Sequence, residues 1–352
     1  MKKSVDIPFL LVLCTIVVFG LIIFTSSALG LLARNGGATF SSVAVSQLLL
    51  GLVSGSIMCV VLSRIDYRIW KPYTLYFFVF AIILSLFTFV PGIGLSLKGA
   101  SRWIIIGEFS FQPEEILKFA TVALLAAVYA TRLRSIQTIR GGILPLFFIA
   151  GSVGLILIMQ PNTAGVIMIG AAATTMLFAA GGRLFHLCIL GIIGVAVITG
   201  AVYTYPHVAD RIETFLNQGN DPQGAGWQIQ QSLIAVGSGG LTGRGLGQSV
   251  QKFSYLPEPI GDSVFAVVGE ELGFIGSTIL VLLYSILGLL GFRIAGRAAD
   301  PFGGLMTVGL IVLIVGQSFF NIASSLGLVP LVGIPLIFVS HGGSALAMSL
   351  AE

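Results

Sequence analysis

Long apolar runs separated by short polar breaks set the pattern of this chain. Runs lie near residues 8–32, 41–62, 72–90, 113–131, 143–160, 163–181, 186–205, 263–291, 304–325 and 332–350. Each approaches the roughly 20 residues that a helix needs to cross a hydrocarbon core. The pattern predicts an all-α, polytopic membrane protein of about ten transmembrane helices, forming one integral membrane domain over residues 1–352. A transmembrane β-barrel would show short alternating strands instead. The first run is too long for a secretory leader and further spans follow it, so it reads as an uncleaved helix.

Two polar segments interrupt this pattern. One runs from about Pro91 to Pro113; the other, a large loop between the seventh and eighth spans, covers about 206–262. Such loops carry function when a rigid bundle positions them. Within the second, Trp227-Gln-Ile-Gln-Gln-Ser-Leu-Ile places apolar residues at helical spacing, which predicts a short interfacial helix. Gly237 to Gly247 then reads as a flexible turn, with a phosphate cradle as the alternative; with no βαβ unit around it, a dinucleotide fold is excluded. The last apolar segment stops at Glu352 without a basic flank, so the chain is expected to continue past it.

Composition agrees: 56% of residues are hydrophobic and 9% charged, against about 25% charged in a soluble domain. The net charge of +4 matters less than its placement. Lys2, Lys3, Arg64, Arg68, Lys71, Arg132, Arg134, Arg140, Arg183, Arg293 and Arg297 fall on one side, in short basic loops. Arg34, Lys98, Arg102, Lys118, Arg211, Arg244 and Lys252 fall on or near the other, among acids. The bias toward cytoplasmic cations places the N-terminus inside. Cys14, Cys59 and Cys188 lie in apolar runs without metal or disulfide spacing and read as small core hydrophobes. His186 and His207 lack ligand-like neighbours in sequence, so no histidine metal site is expected.

Ionisable groups in or beside a membrane bundle are costly, so each is a functional candidate. Asp262 follows a loop broken by Pro257 and Pro259 and precedes an apolar helix. It suits two roles, helix N-cap and catalytic base, and the sequence leaves both open. Glu270 and Glu271 lie about two turns further on, where one should find a buried partner. Lys118 stands three residues after Glu115 and four after Glu114, so either acid can pair with it. Glu115 is the expected partner and Glu114 an ordinary helix-start acid. Arg102-Trp103 reads as an interfacial anchor or a diphosphate clamp. Gln160-Pro161-Asn162 separates two spans, and His341-Gly342-Gly343-Ser344 frees backbone N–H groups that could line a polar cavity.

GASRWI at 99–104, QPEEILKF at 112–119, QPN at 160–162, the stretch 243–276 and SHGGS at 340–344 together resemble the SEDS family (shape, elongation, division and sporulation), which includes FtsW, RodA and SpoVE. The resemblance implies ten membrane helices and a peptidoglycan glycosyltransferase that polymerises lipid II at the outer face of the cytoplasmic membrane. It implies a class B penicillin-binding protein and divisome or elongasome proteins as partners, and no nucleic acid. The family's essential aspartate falls on Asp262. Substrate-binding candidates on its motifs are Arg102, Trp103, Glu115 and Lys118, then Arg244, Lys252 and Glu258, with Ser340, His341 and Ser344. The family usually reads HTDF where this chain has Ile260-Gly261-Asp262-Ser263, QPD where Asn162 stands, and tyrosine at His341. The GEELGF and LGQSVQKF spellings look more like FtsW than RodA, which favours a division role.

The implied chemistry is inverting transfer. Asp262 takes the proton of the acceptor's 4-hydroxyl, while Lys118, Arg102, Arg244 or Lys252, with or without a divalent cation (Mg or Mn), meets the charge on undecaprenyl diphosphate. Two rival readings are a lipid II flippase and a non-catalytic scaffold for the transpeptidase.

Overall fold

The computed structural model describes residues 5–33, 40–97, 100–106, 109–217 and 225–352. Lys2, Lys3, Arg34 and Lys98, assigned to loops above, lie outside the described residues. In chain order the helices are α1 (Ile7–Ala28), α2 (Phe40–Val45), α3 (Ser54–Arg64), α4 (Thr74–Leu86), α5 (Pro113–Thr131), α6 (Leu144–Met159) and α7 (Thr163–Ala179). Then come α8 (Leu184–Thr204), α9 (Pro206–Leu216), α10 (Ala225–Ser238), α11 (Gln251–Ser254), α12 (Val264–Gly296), α13 (Pro301–Ser325) and α14 (Gly343–Ala351). A π-helical stretch, Ser46–Val53, joins α2 to α3.

Among the described residues, 7 helices are long and apolar enough to cross a membrane. Two further predicted spans form helices as expected: α5, with its acids and lysine, and α7, with 17 residues. The tenth does not. Residues 326–342 carry no regular secondary structure, and only the short α14 follows. Pro330 and Pro335 cannot donate to a helix ladder, and Gly333 adopts φ 67°. The cysteine expectation also fails: Cys14 and Cys188 are exposed rather than in the core. A helix face turned to lipid is as apolar as one turned inward, so hydropathy does not separate the two.

The chain folds as two compact units. One comprises Ser56–Thr199, Gly291–Ile314 and Leu350–Glu352. Its core is α5, packed with α4, α6 and α7, where Leu117, Ala120, Leu125 and Tyr129 are fully buried. Alanines dominate because apolar burial drives little association in lipid, so close packing must hold the helices together. A methyl group on Gly309 would come within 2.5 Å of Val122 and 2.6 Å of Met176, so the α13 backbone fits there only as glycine. Before α5 runs an antiparallel sheet, β1 (Gly94–Leu97), β2 (Ala100–Ile106) and β3 (Phe109–Phe111), with Leu95 opposite Trp103 and Ile104 opposite Phe111. An all-α reading overlooks it, since strands of three to seven residues leave almost no periodic signal.

The other unit comprises Met1–Gly55, Gly200–Leu290 and Val315–Ser349. Its core includes Ile16, Ile23, Leu256, Val264 through Val268, Leu280 and Leu336. Here α12 is broken at Gly273 (φ 67°, ψ −163°). The freed carbonyls of Glu270 and Glu271 accept from the N–H groups of Arg244 and Gly245, both at 3.0 Å. Phe274 and Ile275 in turn donate to the carbonyls of Gly240 and Leu241 at 2.9 and 3.1 Å. The glycine-rich loop is therefore pinned to the break rather than flexible. The N–H groups of Arg244 and Gly245 serve α12 and so are not free to cradle a phosphate.

Candidate active site

Asp262 is half-buried at the end of the loop that α11 begins, and Ser263, not Asp262, immediately precedes α12. The amide of Gln228 on α10 donates to Asp262 Oδ1 at 3.0 Å and to Ser263 Oγ at 2.9 Å. The main-chain carbonyl of Asp262 accepts from Asn321 Nδ2 at 2.8 Å and Ser325 Oγ at 3.3 Å, both on α13. Asn321 also donates to the carbonyl of Ile334 at 2.7 Å, tying Asp262 to the irregular segment. Arg211 on α9 donates to the carbonyl of Val332 at 3.3 Å and interacts electrostatically with Asp262. Burial holds its guanidinium below the usual arginine range, and Asp262 opposes that shift.

The SHGG segment clasps the residues before Asp262. Ser340 Oγ donates to the Gly261 carbonyl at 2.6 Å, and the His341 N–H donates to the Ile260 carbonyl at 2.7 Å. Gln47, buried in the π-helical stretch, holds the segment by donating to the Ser340 carbonyl at 3.1 Å and accepting from the Gly342 N–H at 2.9 Å. The His341 ring stacks on Phe24 at 6.1 Å. Ser344 is half-buried in the first turn of α14. Glu258 (φ 46°) and Phe338 (φ 68°) hold left-handed backbone conformations, a strain that clusters at functional sites. Glu258 is exposed, and its carbonyl accepts from Gly261 and Ser263 at 3.0 and 3.3 Å, turning the chain just before Asp262.

Two proposed substrate cations in this unit face carboxylates. Lys252 Nζ lies 2.5 Å from Glu271 Oε1 and 3.0 Å from Ser26 Oγ, with no exposed surface. Arg244 lies 3.4 Å from Glu270 Oε1, its side chain 42% exposed. Both glutamates are thus partnered, one more than expected.

In the other unit, Lys118 pairs with Glu115 at 2.9 Å, both buried. Glu114 does more than start a helix: its Oε2 accepts from Asn162 Nδ2 at 2.5 Å and Gln112 Nε2 at 2.9 Å. Arg102, carried by β2, donates to the carbonyls of Gln160 and Pro161. Gln160 Nε2 donates to the Ser85 carbonyl at 3.0 Å and to Thr88 Oγ1 at 2.9 Å. Trp103 is half-buried beside Arg102. Here Arg102 braces the QPN turn.

Sequence reasoning missed Gln228, Arg211, Asn321 and Ser325. A signal existed for two of them: Gln317, Asn321 and Ser325 recur every fourth residue on α13, a polar stripe in an apolar helix. Among the described residues, no group of three or more His, Cys, Asp or Glu could hold a metal ion.

Fold and site define a multi-pass membrane protein with a carboxylate held at the junction of a structured loop and a broken helix. A family profile described as cell cycle protein, covering FtsW, RodA and SpoVE, matches residues 7–352. Stage V sporulation protein E of Bacillus subtilis is 39% identical over 351 residues, covering 99% of this chain and 95% of that protein. The probable peptidoglycan glycosyltransferase FtsW of Trichlorobacter lovleyi is 36% identical, covering 98% of this chain and 90% of its own. Among solved structures, a chain from a peptidoglycan synthase complex described for its coordination of polymerization and crosslinking superposes with TM-score 0.81 at 23% identity, covering 99% of this chain and 95% of its own. Rod shape determining protein RodA of Thermus thermophilus superposes with TM-score 0.69 at 22% identity, covering 99% and 94%. The chain belongs to the FtsW/RodA/SpoVE family.

Proposed function

We propose that this protein is a peptidoglycan glycosyltransferase that polymerises lipid II, with Asp262 as its catalytic base. The observation that carries this reading is the hold on Asp262: its carboxylate is fixed by Gln228 and its backbone by Asn321 and Ser325. An N-cap needs no such enclosure, whereas a base must be aimed. The 4-hydroxyl oxygen of the acceptor sugar attacks the anomeric carbon of the donor as its proton passes to Asp262. The bond from that carbon to the diphosphate breaks, and undecaprenyl diphosphate leaves with the electron pair.

Arg211, beside Asp262 in the same unit, supports the reading that a cation serves the leaving group. Lys118, charge-compensated by Glu115, and Arg102 remain substrate-contact proposals of the second unit. Among the described residues no group of three or more His, Cys, Asp or Glu forms a metal site by itself, so a divalent cation would be held largely through the substrate diphosphate. The basic loops around Arg68, Arg134 and Arg297 support placement in the cytoplasmic membrane with the N-terminus inside. Likeness to a synthase-complex chain supports a class B penicillin-binding protein as partner in division or elongation.

The test is incubation of the purified chain, with that partner, with labelled lipid II in one arm and lipid II-loaded vesicles in the other. Glycan strands support the enzyme. Translocation without polymer supports a flippase, and neither product supports a scaffold.

A further inference from the structure

The glutamine-rich helix α10 reads in the sequence as an interfacial element, yet Gln228 and Gln231 are buried. Gln228 spends both amide hydrogens at the candidate base, one on Asp262 Oδ1 and one on Ser263 Oγ. A side chain placed on Gly333 would lie 3.6 Å from Asp262 Oδ2, so that oxygen borders the glycine of the irregular segment. The two oxygens of the carboxylate thus have different surroundings.

We propose that Gln228 is a positioning residue for the transfer: its amide fixes Oδ1 and presents Oδ2 to the acceptor hydroxyl. The inference rests on Asp262 as the base and adds which group aims it. A donor to a carboxylate also favours its charged form. Among the described residues, charged or titratable groups around Asp262 include Arg211 on α9, Glu258 in its own loop and His341 in the irregular segment. Arg211 interacts with Asp262 itself, and His341 with Glu258. No cation comes from α10, so its contribution to Asp262 is the neutral donor Gln228.

The experiment measures lipid II polymerisation against pH for the full chain with its partner, comparing native, Gln228→Leu, Gln228→Glu and Asp262→Asn. Gln228→Leu is expected to lower kcat about 10- to 100-fold, the scale of one hydrogen bond to a charged group, with KM little changed. Its acid limb is expected to move to higher pH, because the carboxylate loses a donor. Gln228→Glu keeps the shape. Protonated, it still donates to Asp262, and the pair holds one proton until the pH rises enough to ionise both. Its activity is therefore expected near native at low pH and lost as pH rises. A purely structural glutamine gives no such rescue. Native kcat and pH profile in Gln228→Leu, or a Gln228→Glu equally impaired at every pH, overturns the proposal. Asp262→Asn separates the layers: if it alone is inactive, only the role of Gln228 fails; if it polymerises normally, the base assignment beneath has failed.

Discussion

Lys252 and Glu271 form a fully buried ion pair, Nζ to Oε1 2.5 Å, with Ser26 bridging them: its Oγ lies 3.0 Å from the ammonium and 2.6 Å from Glu271 Oε2. Beside it, Glu270 accepts from Ser249 Oγ at 2.5 Å and from the Val250 N–H at 3.0 Å. Adjacent glutamates two turns into α12 thus lock the loop that delivers Asp262. Breaking one partner of a buried pair strands the other charge, at a cost of about 3–5 kcal/mol. Lys252→Met is therefore expected to lower the unfolding temperature in detergent sharply, and Lys252→Met with Glu271→Leu to recover part of it. A Lys252→Met protein of native stability that fails to polymerise would instead make Lys252 a substrate contact.

The turn between α6 and α7 depends on an amide. Asn162 donates to Glu114 and accepts from the Gly165 N–H at 3.1 Å. Asn162→Asp replaces that donor with a second carboxylate against the first. Loss of the bond together with like-charge contact is expected to cost about 1–3 kcal/mol at neutral pH. Adding Glu114→Gln restores a donor and should recover most of the loss in the same thermal assay. Equal melting of native and Asn162→Asp proteins would mean the contact carries little.

Asp300, between α12 and α13, gives a pH signature. Burial pushes its carboxyl up, but the Tyr67 hydroxyl, the Gly303 N–H and the Arg68 guanidinium outweigh this and hold it below the usual carboxylate range. A depressed pKa means the contribution is fully present above the unfolded value, about 4, and fades as pH falls through the folded one. Native protein should lose stability faster than Asp300→Asn as pH falls from above the unfolded value through the lower folded one. Parallel curves would remove Asp300 from the acid response.

The break in α12 needs glycine. At Gly273 a side chain would collide with the backbone nitrogen of Gly243, and φ is 67°. Gly273→Ala is expected to fold poorly, since strain of about 1–3 kcal/mol adds to the clash. A well-folded Gly273→Ala, seen as a native-like gel-filtration peak, would show that the loop can shift away.

Much of this was legible because lipid imposes one rule: a helix crossing it must be long, apolar and internally hydrogen-bonded. Hence α5 starts at Pro113 as predicted, and α12 begins at Val264, one residue from the predicted start. The Glu115–Lys118 pair was readable because helical spacing alone brings the two together. What failed were features set by tertiary contact. Residues 332–350 are apolar enough to suggest a span, but from Ile334 to Ser340 the backbone carbonyls are met by Gln47, Tyr284, Gln317 and Asn321 from outside, so no helix is required there and only α14 forms at the end. Gln228 was visible as a residue and invisible as a partner of Asp262, since 34 positions separate them.

The central claim concerns Asp262, and the most direct measurement is lipid II polymerisation by the native chain and by Asp262→Asn. Both are purified with the same partner and matched by thermal melt and complex yield. The asparagine keeps the shape and can still face Gln228, but it cannot take a proton. Glycan strands from the native chain and a loss of at least about 100-fold in the variant is the predicted result. Equal polymer from both would contradict Asp262 as the base.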